Sequence, residues 1–153
     1  DEMTAEVKDK LENHKKWIST NGTEGERGNL DGLDLSYHDL SGLDLSGIQM
    51  RDGKLRGAQL KACSLILADL GGTDIFDANL CDSVIIGTNL SGANLKRCNL
   101  TNAEMGEISI VSKDGTDTGR SHRTNFQQAN LVRANTDGCN LEGCVLEEAI
   151  RDN

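Results

Sequence analysis

A large aliphatic residue returns at every fifth position from Leu30 to Ile110. The series runs Leu30, Leu35, Leu40, Leu45, Met50, Leu55, Leu60, Leu65, Leu70, Ile75, Leu80, Ile85, Leu90, Leu95, Leu100, Met105 and Ile110. All seventeen positions hold Leu, Ile or Met, although hydrophobic residues of every kind make up only 36% of the chain. A period of five fits neither the 3.6 of a helix nor the 2 of a strand. It fits a solenoid whose wall turns a corner every five residues. Four such units close a square coil, and successive coils stack at about 4.8 Å through backbone hydrogen bonds.

The other positions of the unit agree. Two before each aliphatic centre stands a small residue, as in Ala58, Cys63, Ala68, Ala78 and Ala93. Just before the centre stands Asp or Asn, as in Asp34, Asp69, Asn79 and Asn94. The centre and the small residue point inward and the remaining three outward. Asp and Asn support bends because their side chains bond the local backbone. Glycine after the centre tolerates positive φ.

The runs Ala78-Asn79-Leu80, Thr88-Asn89-Leu90-Ser91-Gly92-Ala93-Asn94-Leu95 and Gln128-Ala129-Asn130-Leu131 closely resemble the A(D/N)LXX repeat of the pentapeptide-repeat proteins. The resemblance covers about residues 29 to 148. It implies an all-β solenoid, a right-handed quadrilateral β-helix. Leu11, His14, Trp17, Gly22, Gly25 and Arg27 resemble a leader that precedes such repeats in bacterial proteins, which implies a bacterial source.

Residues 1–28 lack the beat. Thr4 to Thr20 is predicted to be an amphipathic helix, with Thr4 as N-cap, Asn21-Gly22 as stop, and Val7, Leu11 and Ile18 on one side. A solenoid exposes an open apolar end. The helix is expected to cap that end, with Trp17 as its plug and His14 packed within the cap. In the first coil His38, Leu33, Leu43 and Ile48 fill the small inward slot. They are expected to fill space beneath the lid, which makes His38 a core or near-core histidine. Residues 29–153 are assigned to the repeat, interrupted at about 111–122 by a polar, Gly-rich run. Phe126 follows Ile110 by sixteen, so an eleven-residue insertion at one corner is expected, read as a disordered excursion or, alternatively, a surface loop that carries function. The chain opens on Asp1 without an initiator Met, and the beat ends near Arg151 without a second helix. The last coil is expected to be capped by another molecule or to continue into a further domain, and the chain is read as free-standing or, on these two features, as part of a longer chain.

Composition narrows the function. A net charge of −9 argues against direct nucleic-acid binding, which needs a basic footprint. No apolar run approaches a membrane span. Five cysteines without a CxxC pair read as free thiols in a reducing, cytoplasmic compartment. Cys63, Cys98, Cys139 and Cys144 fall in the small inward slot and act there as small hydrophobes. Cys81 faces outward and is the thiol expected to be reactive. The five-residue spacing of Cys139 and Cys144 leaves a disulfide or metal site open.

No catalytic constellation is found. Ser121 precedes His122 without a third orienting group, and the fold accounts for the Asp residues beside the centres. No catalytic, cofactor or metal residues are assigned. The outward residues Arg56, Phe76 and Lys96, twenty apart, are expected to share one column with cation–π contact and form a partner-contact strip. The chain is therefore read as a non-catalytic protein-interaction or scaffold module, monomeric or dimerised end to end. The alternative is an acidic DNA mimic. The resemblance implies it, since some acidic members bind type II topoisomerases such as gyrase and protect them from quinolones.

Overall fold

The computed structural model describes residues 2–152. One helix, α1, spans Ala5–Ser19. Thr4 starts it, its Oγ1 accepting the Val7 N–H at 3.3 Å. Asn21 and Gly22 stop it at φ 53° and 85°, with the Gly22 N–H on the Trp17 carbonyl at 2.8 Å. This satisfies end groups that a helix cannot pair internally.

From Asn29 the chain coils. The residue before each centre pairs in parallel with its counterpart twenty residues on: Asn29 with Gln49, Gln49 with Asp69, Asp69 with Asn89. The four walls have as centres Leu30, Met50, Leu70 and Leu90 (first), Leu35, Leu55, Ile75 and Leu95 (second), Leu40, Leu60, Leu80 and Leu100 (third), and Leu45, Leu65 and Ile85 (fourth), all buried. Each buried aliphatic side chain contributes about 2 kcal/mol gross. At each corner the small residue's N–H donates to the centre carbonyl three back, as Ala93 does to Leu90 at 3.1 Å. The residue between takes φ near +60°, the signature of a type II turn. Eleven non-glycine residues accept that position, among them Tyr37, Leu67 and Arg97, at about 1 kcal/mol each. The preceding Asp or Asn supports the bend. Asp34 Oδ1 accepts the Ser36 N–H at 2.9 Å, and Asn89 does the same for Ser91 at 3.0 Å.

The small slot carries a second ladder. Cys63 Sγ donates to the Leu40 carbonyl at 2.8 Å, Thr73 Oγ1 to Met50 at 2.9 Å, Thr88 Oγ1 to Leu65 at 2.6 Å and Cys98 Sγ to Ile75 at 2.7 Å. Each partner lies twenty-three residues back. Ser83 occupies the same slot, yet its buried hydroxyl finds no partner.

The interruption differs from expectation. The ladder passes from Val84–Glu104 to Asn89–Asn125, a step of 36 residues in place of 20, so sixteen are inserted rather than eleven. Ile110 is not a core centre. Phe126, fully buried, takes the place on Leu90. Residues 111–122 are not a structureless excursion either. β1 (Glu107–Val111) and β2 (Asp117–Arg123) form an antiparallel hairpin, Glu107 opposite Arg123 and Ile110 opposite Arg120. Its turn closes through Ser112 N–H to Thr116 O at 2.9 Å. There the Asp114 carboxylate, bonded by the Ser112 and Thr116 side chains, is held at about 2. Ile108 and Ile110 follow a period of two that coincides with the beat of five at 110, which is why the sequence misleads there.

The helix lies over the open first coil, but Trp17 is not the plug. The buried side chains of α1 are Val7 and His14. Trp17 is half-buried, its ring edge resting over the corner glycine Gly47. The plug is polar. His14, 1% exposed, accepts the Gly28 N–H on Nδ1 at 2.9 Å. Nε2 therefore carries the proton and donates to the Ser46 carbonyl at 3.0 Å. Desolvation holds the imidazole below its ordinary 6.5, in the neutral form this pattern requires. Ile48 is buried, as expected beneath the lid. Leu43 stays 39% exposed and His38 half-buried, because the helix crosses the coil without covering that corner. A groove of about 770 Å³ remains there, lined by Leu11, Ile18, Leu40 and Leu43 among others.

Candidate partner-binding wall

Outward positions of one wall recur every twenty residues, so their side chains stack coil on coil. On the second wall the residue after the centre is Ser36, Arg56, Phe76 and Lys96 in turn. The structure brings Arg56 and Phe76 together, with the guanidinium carbon 4.5 Å from the ring centroid. Arg56 Nη1 also holds Asp74 Oδ2 at 2.9 Å. Lys96 shares the column, but it is Arg97 whose guanidinium carbon is the second cation over the ring, 5.7 Å from its centroid. Arg97 sits at the corner with φ 64°, which swings its side chain back along the axis toward Phe76. Its second neighbour is Asp77, at 3.8 Å.

Tyr37 extends the strip at the first coil. It is 75% exposed, and its ring lies on Gly57, where an added Cβ would meet ring carbons at 2.6 Å. Sequence reasoning missed both Tyr37 and Arg97. The signal was present: each stands two residues after a centre, the corner position whose side chain crosses to the adjacent coil.

The fourth wall departs differently. Ile66, Leu67, Val84 and Ile86 cluster at neighbouring outward positions of this wall. The hairpin root approaches this wall at Gly87, where an added Cβ would come within 2.8 Å of Ile108 Cγ2 and 3.0 Å of Leu67 Cδ2. Thr124 pins that root, accepting the Gly106 N–H at 2.9 Å and donating to the Ile85 carbonyl at 2.7 Å.

The residues examined for chemistry do not converge. Ser121 and His122 are consecutive in β2, so their side chains point to opposite faces. His14 is locked in the cap. All five cysteines are free. Cys81 is half-buried rather than open, and its thiol is pushed up by desolvation and then by Asp82, the reverse of an activated thiolate. Burial pushes the Cys98 thiol up to about 12. Among the described residues no group of His, Cys, Asp or Glu is placed to hold a metal ion. No helix of the described residues is long and apolar enough to cross a membrane.

These features define a class: a right-handed quadrilateral β-helix with an N-terminal helix over its open end. The pentapeptide-repeat pattern matches eight copies, over residues 44–80, 63–102 and 123–151, and the chain belongs to that family. Residues 29–43 of the first coil and 103–122, which hold all of the hairpin but Arg123, fall outside the match. No curated protein matches the chain. Among solved structures it is similar to the pentapeptide-repeat protein Rfr23 of the cyanobacterium Cyanothece 51142, at 22% identity over 82% of this chain and 84% of that one, TM-score 0.58. It is also similar to a pentapeptide-repeat protein of the Arabidopsis thaliana thylakoid lumen, at 27% identity over 75% and 66%, TM-score 0.48.

Proposed function

We propose that this chain is a non-catalytic protein-interaction module that works in a reducing, cytoplasmic compartment and meets its partner on the second wall, through Arg56, Phe76 and Lys96 together with Tyr37 and Arg97. One observation carries the reading. The core is aliphatic apart from Phe126, yet two of the chain's four Phe, Tyr and Trp residues stand outward on one wall, where the solenoid needs neither. Aromatic and Arg side chains are those that dominate contact energy at interfaces. Walls of a solenoid vary without touching the core.

The test is differential capture from a lysate of the source organism. A protein held by the native chain and by a third-wall control, Lys61→Glu, but lost with Arg56→Ser/Phe76→Ser supports the reading. Equal capture by all three sinks it.

The net charge of −9 keeps the gyrase-binding mimic as second reading. It ranks below because the acidic columns are interrupted: Lys54 stacks between Asp34 and Asp74, and Arg51 holds Asp69 at 3.0 Å.

A further inference from the structure

The four walls carry unequal charge. The second wall displays six cations, Lys54, Arg56, Lys96, Arg97, Arg133 and Arg151, against four carboxylates, Asp34, Asp74, Asp77 and Asp152. On the other three walls acids outnumber bases; the third, for example, sets Asp39, Asp82 and Asp137 against Lys61 alone. One wall of an acidic molecule is thus net basic.

Its acids are also engaged. Asp34 accepts the Ser36 N–H, Asp74 accepts the Phe76 N–H at 3.2 Å while holding Arg56, and Asp77 faces Arg97. Among the described residues the charged side-chain nitrogens of Lys54, Lys96 and Arg133 have no carboxylate oxygen within 4.0 Å, although Asp152 Oδ2 accepts the Arg133 backbone N–H at 2.7 Å. The wall's surplus positive charge is free while its negative charge is committed.

We propose that the second wall docks an acidic, extended protein segment lying along the solenoid axis, its carboxylates on Lys54, Lys96 and Arg133 and an apolar or aromatic side chain against Tyr37 and Phe76. This rests on the preceding reading of the wall and adds the partner's chemistry. The geometry suits an extended chain. Lys54 and Arg133 stand three coils apart, about 14 Å at the usual strand spacing, which an extended segment of about five residues spans. A nucleic acid fits worse, because the excess acid on the flanking walls repels a phosphate backbone. Charge complementarity of this kind favours encounter and selects against wrong partners.

The probe is a fluorescein-labelled peptide alternating Glu and Tyr, read by anisotropy, against the same peptide with Gln for Glu. The Glu peptide is expected to bind, more weakly as salt rises, and the Gln peptide at least roughly tenfold more weakly. Lys54→Gln/Lys96→Gln, which breaks no ion pair present and sets no carboxylate between Asp34 and Asp74, is expected to cost roughly tenfold or more with a nearly unchanged melting curve, and Lys61→Gln on the third wall little. No binding of the Glu peptide overturns the proposal, as does binding indifferent to Lys54→Gln/Lys96→Gln. Tighter binding to single-stranded DNA or to phosphatidylserine vesicles overturns it as well. Equal binding of the Gln peptide, lost with Arg56→Ser/Phe76→Ser, removes the acidic partner while leaving the wall as contact surface. Loss of the native capture's dependence on Arg56 and Phe76 removes the underlying reading instead.

Discussion

Replacing His14 by Ala tests the polar plug of the first coil. The imidazole closes two backbone groups, the Gly28 N–H at 2.9 Å and the Ser46 carbonyl at 3.0 Å, in a site that leaves it 1% exposed. Truncation orphans both, at about 1 to 3 kcal/mol each, so the variant should lose about 2 to 6 kcal/mol. For a chain of this size that lowers the melting midpoint by roughly 4 to 24 °C. The imidazole must also be neutral, since Nδ1 accepts. Its folded-state pKa lies below the ordinary 6.5 because of desolvation. As pH falls through 6.5 the unfolded chain takes the proton first. The stability that His14 supplies is therefore complete above 6.5 and declines as pH drops from there toward the lower folded value. Circular dichroism melts of native and His14→Ala protein, from about pH 8 down to about pH 5, read both effects. The gap between the two midpoints should be widest at the alkaline end and narrow with acidification. A gap of less than about 2 °C near pH 8, or one that does not narrow, refutes the argument.

Phe126→Ala should cost about 3 to 5 kcal/mol by leaving a cavity above Leu90, whereas Ile110→Asp in the hairpin should leave the denaturation midpoint nearly unchanged; the reverse order would restore Ile110 to the core. Ser83→Ala should be neutral or stabilising by up to about 1 kcal/mol, because it removes a buried hydroxyl without a partner, and a loss above about 1 kcal/mol in a urea titration would show that the hydroxyl is paired. Purified chain should leave DNA supercoiling by gyrase unaffected, since a duplex presents about one negative charge per 1.7 Å and each column here offers one residue per coil, at about 4.8 Å; inhibition lost on neutralising the acids of one wall would favour the mimic.

The solenoid was legible in the sequence because its rules are local. The inward Leu column, the Asp or Asn beside each bend and the residue at positive φ recur within five residues, and each is set by sterics and one hydrogen bond, so seeing Leu90 and Asn94 is nearly seeing the corner between them. The helix expected over Thr4 to Thr20, and found over Ala5–Ser19, was legible for the same reason, with cap and stop written next to it. What the sequence left undecided depends on groups far apart in the chain. Ile110 satisfies the beat of five and the alternation of β1 equally, and only the pairing of Asn89 with Asn125 settles which period wins. Whether Trp17 or His14 plugs the first coil depends on how α1 crosses it, and the deciding partners of His14 are the backbones of Gly28 and Ser46. Likewise the column Arg56, Phe76, Lys96 follows from the twenty-residue repeat, but the second cation on Phe76 is Arg97. That choice is made by the positive φ at a corner, which turns a side chain toward the neighbouring coil and places it where spacing along the chain does not point.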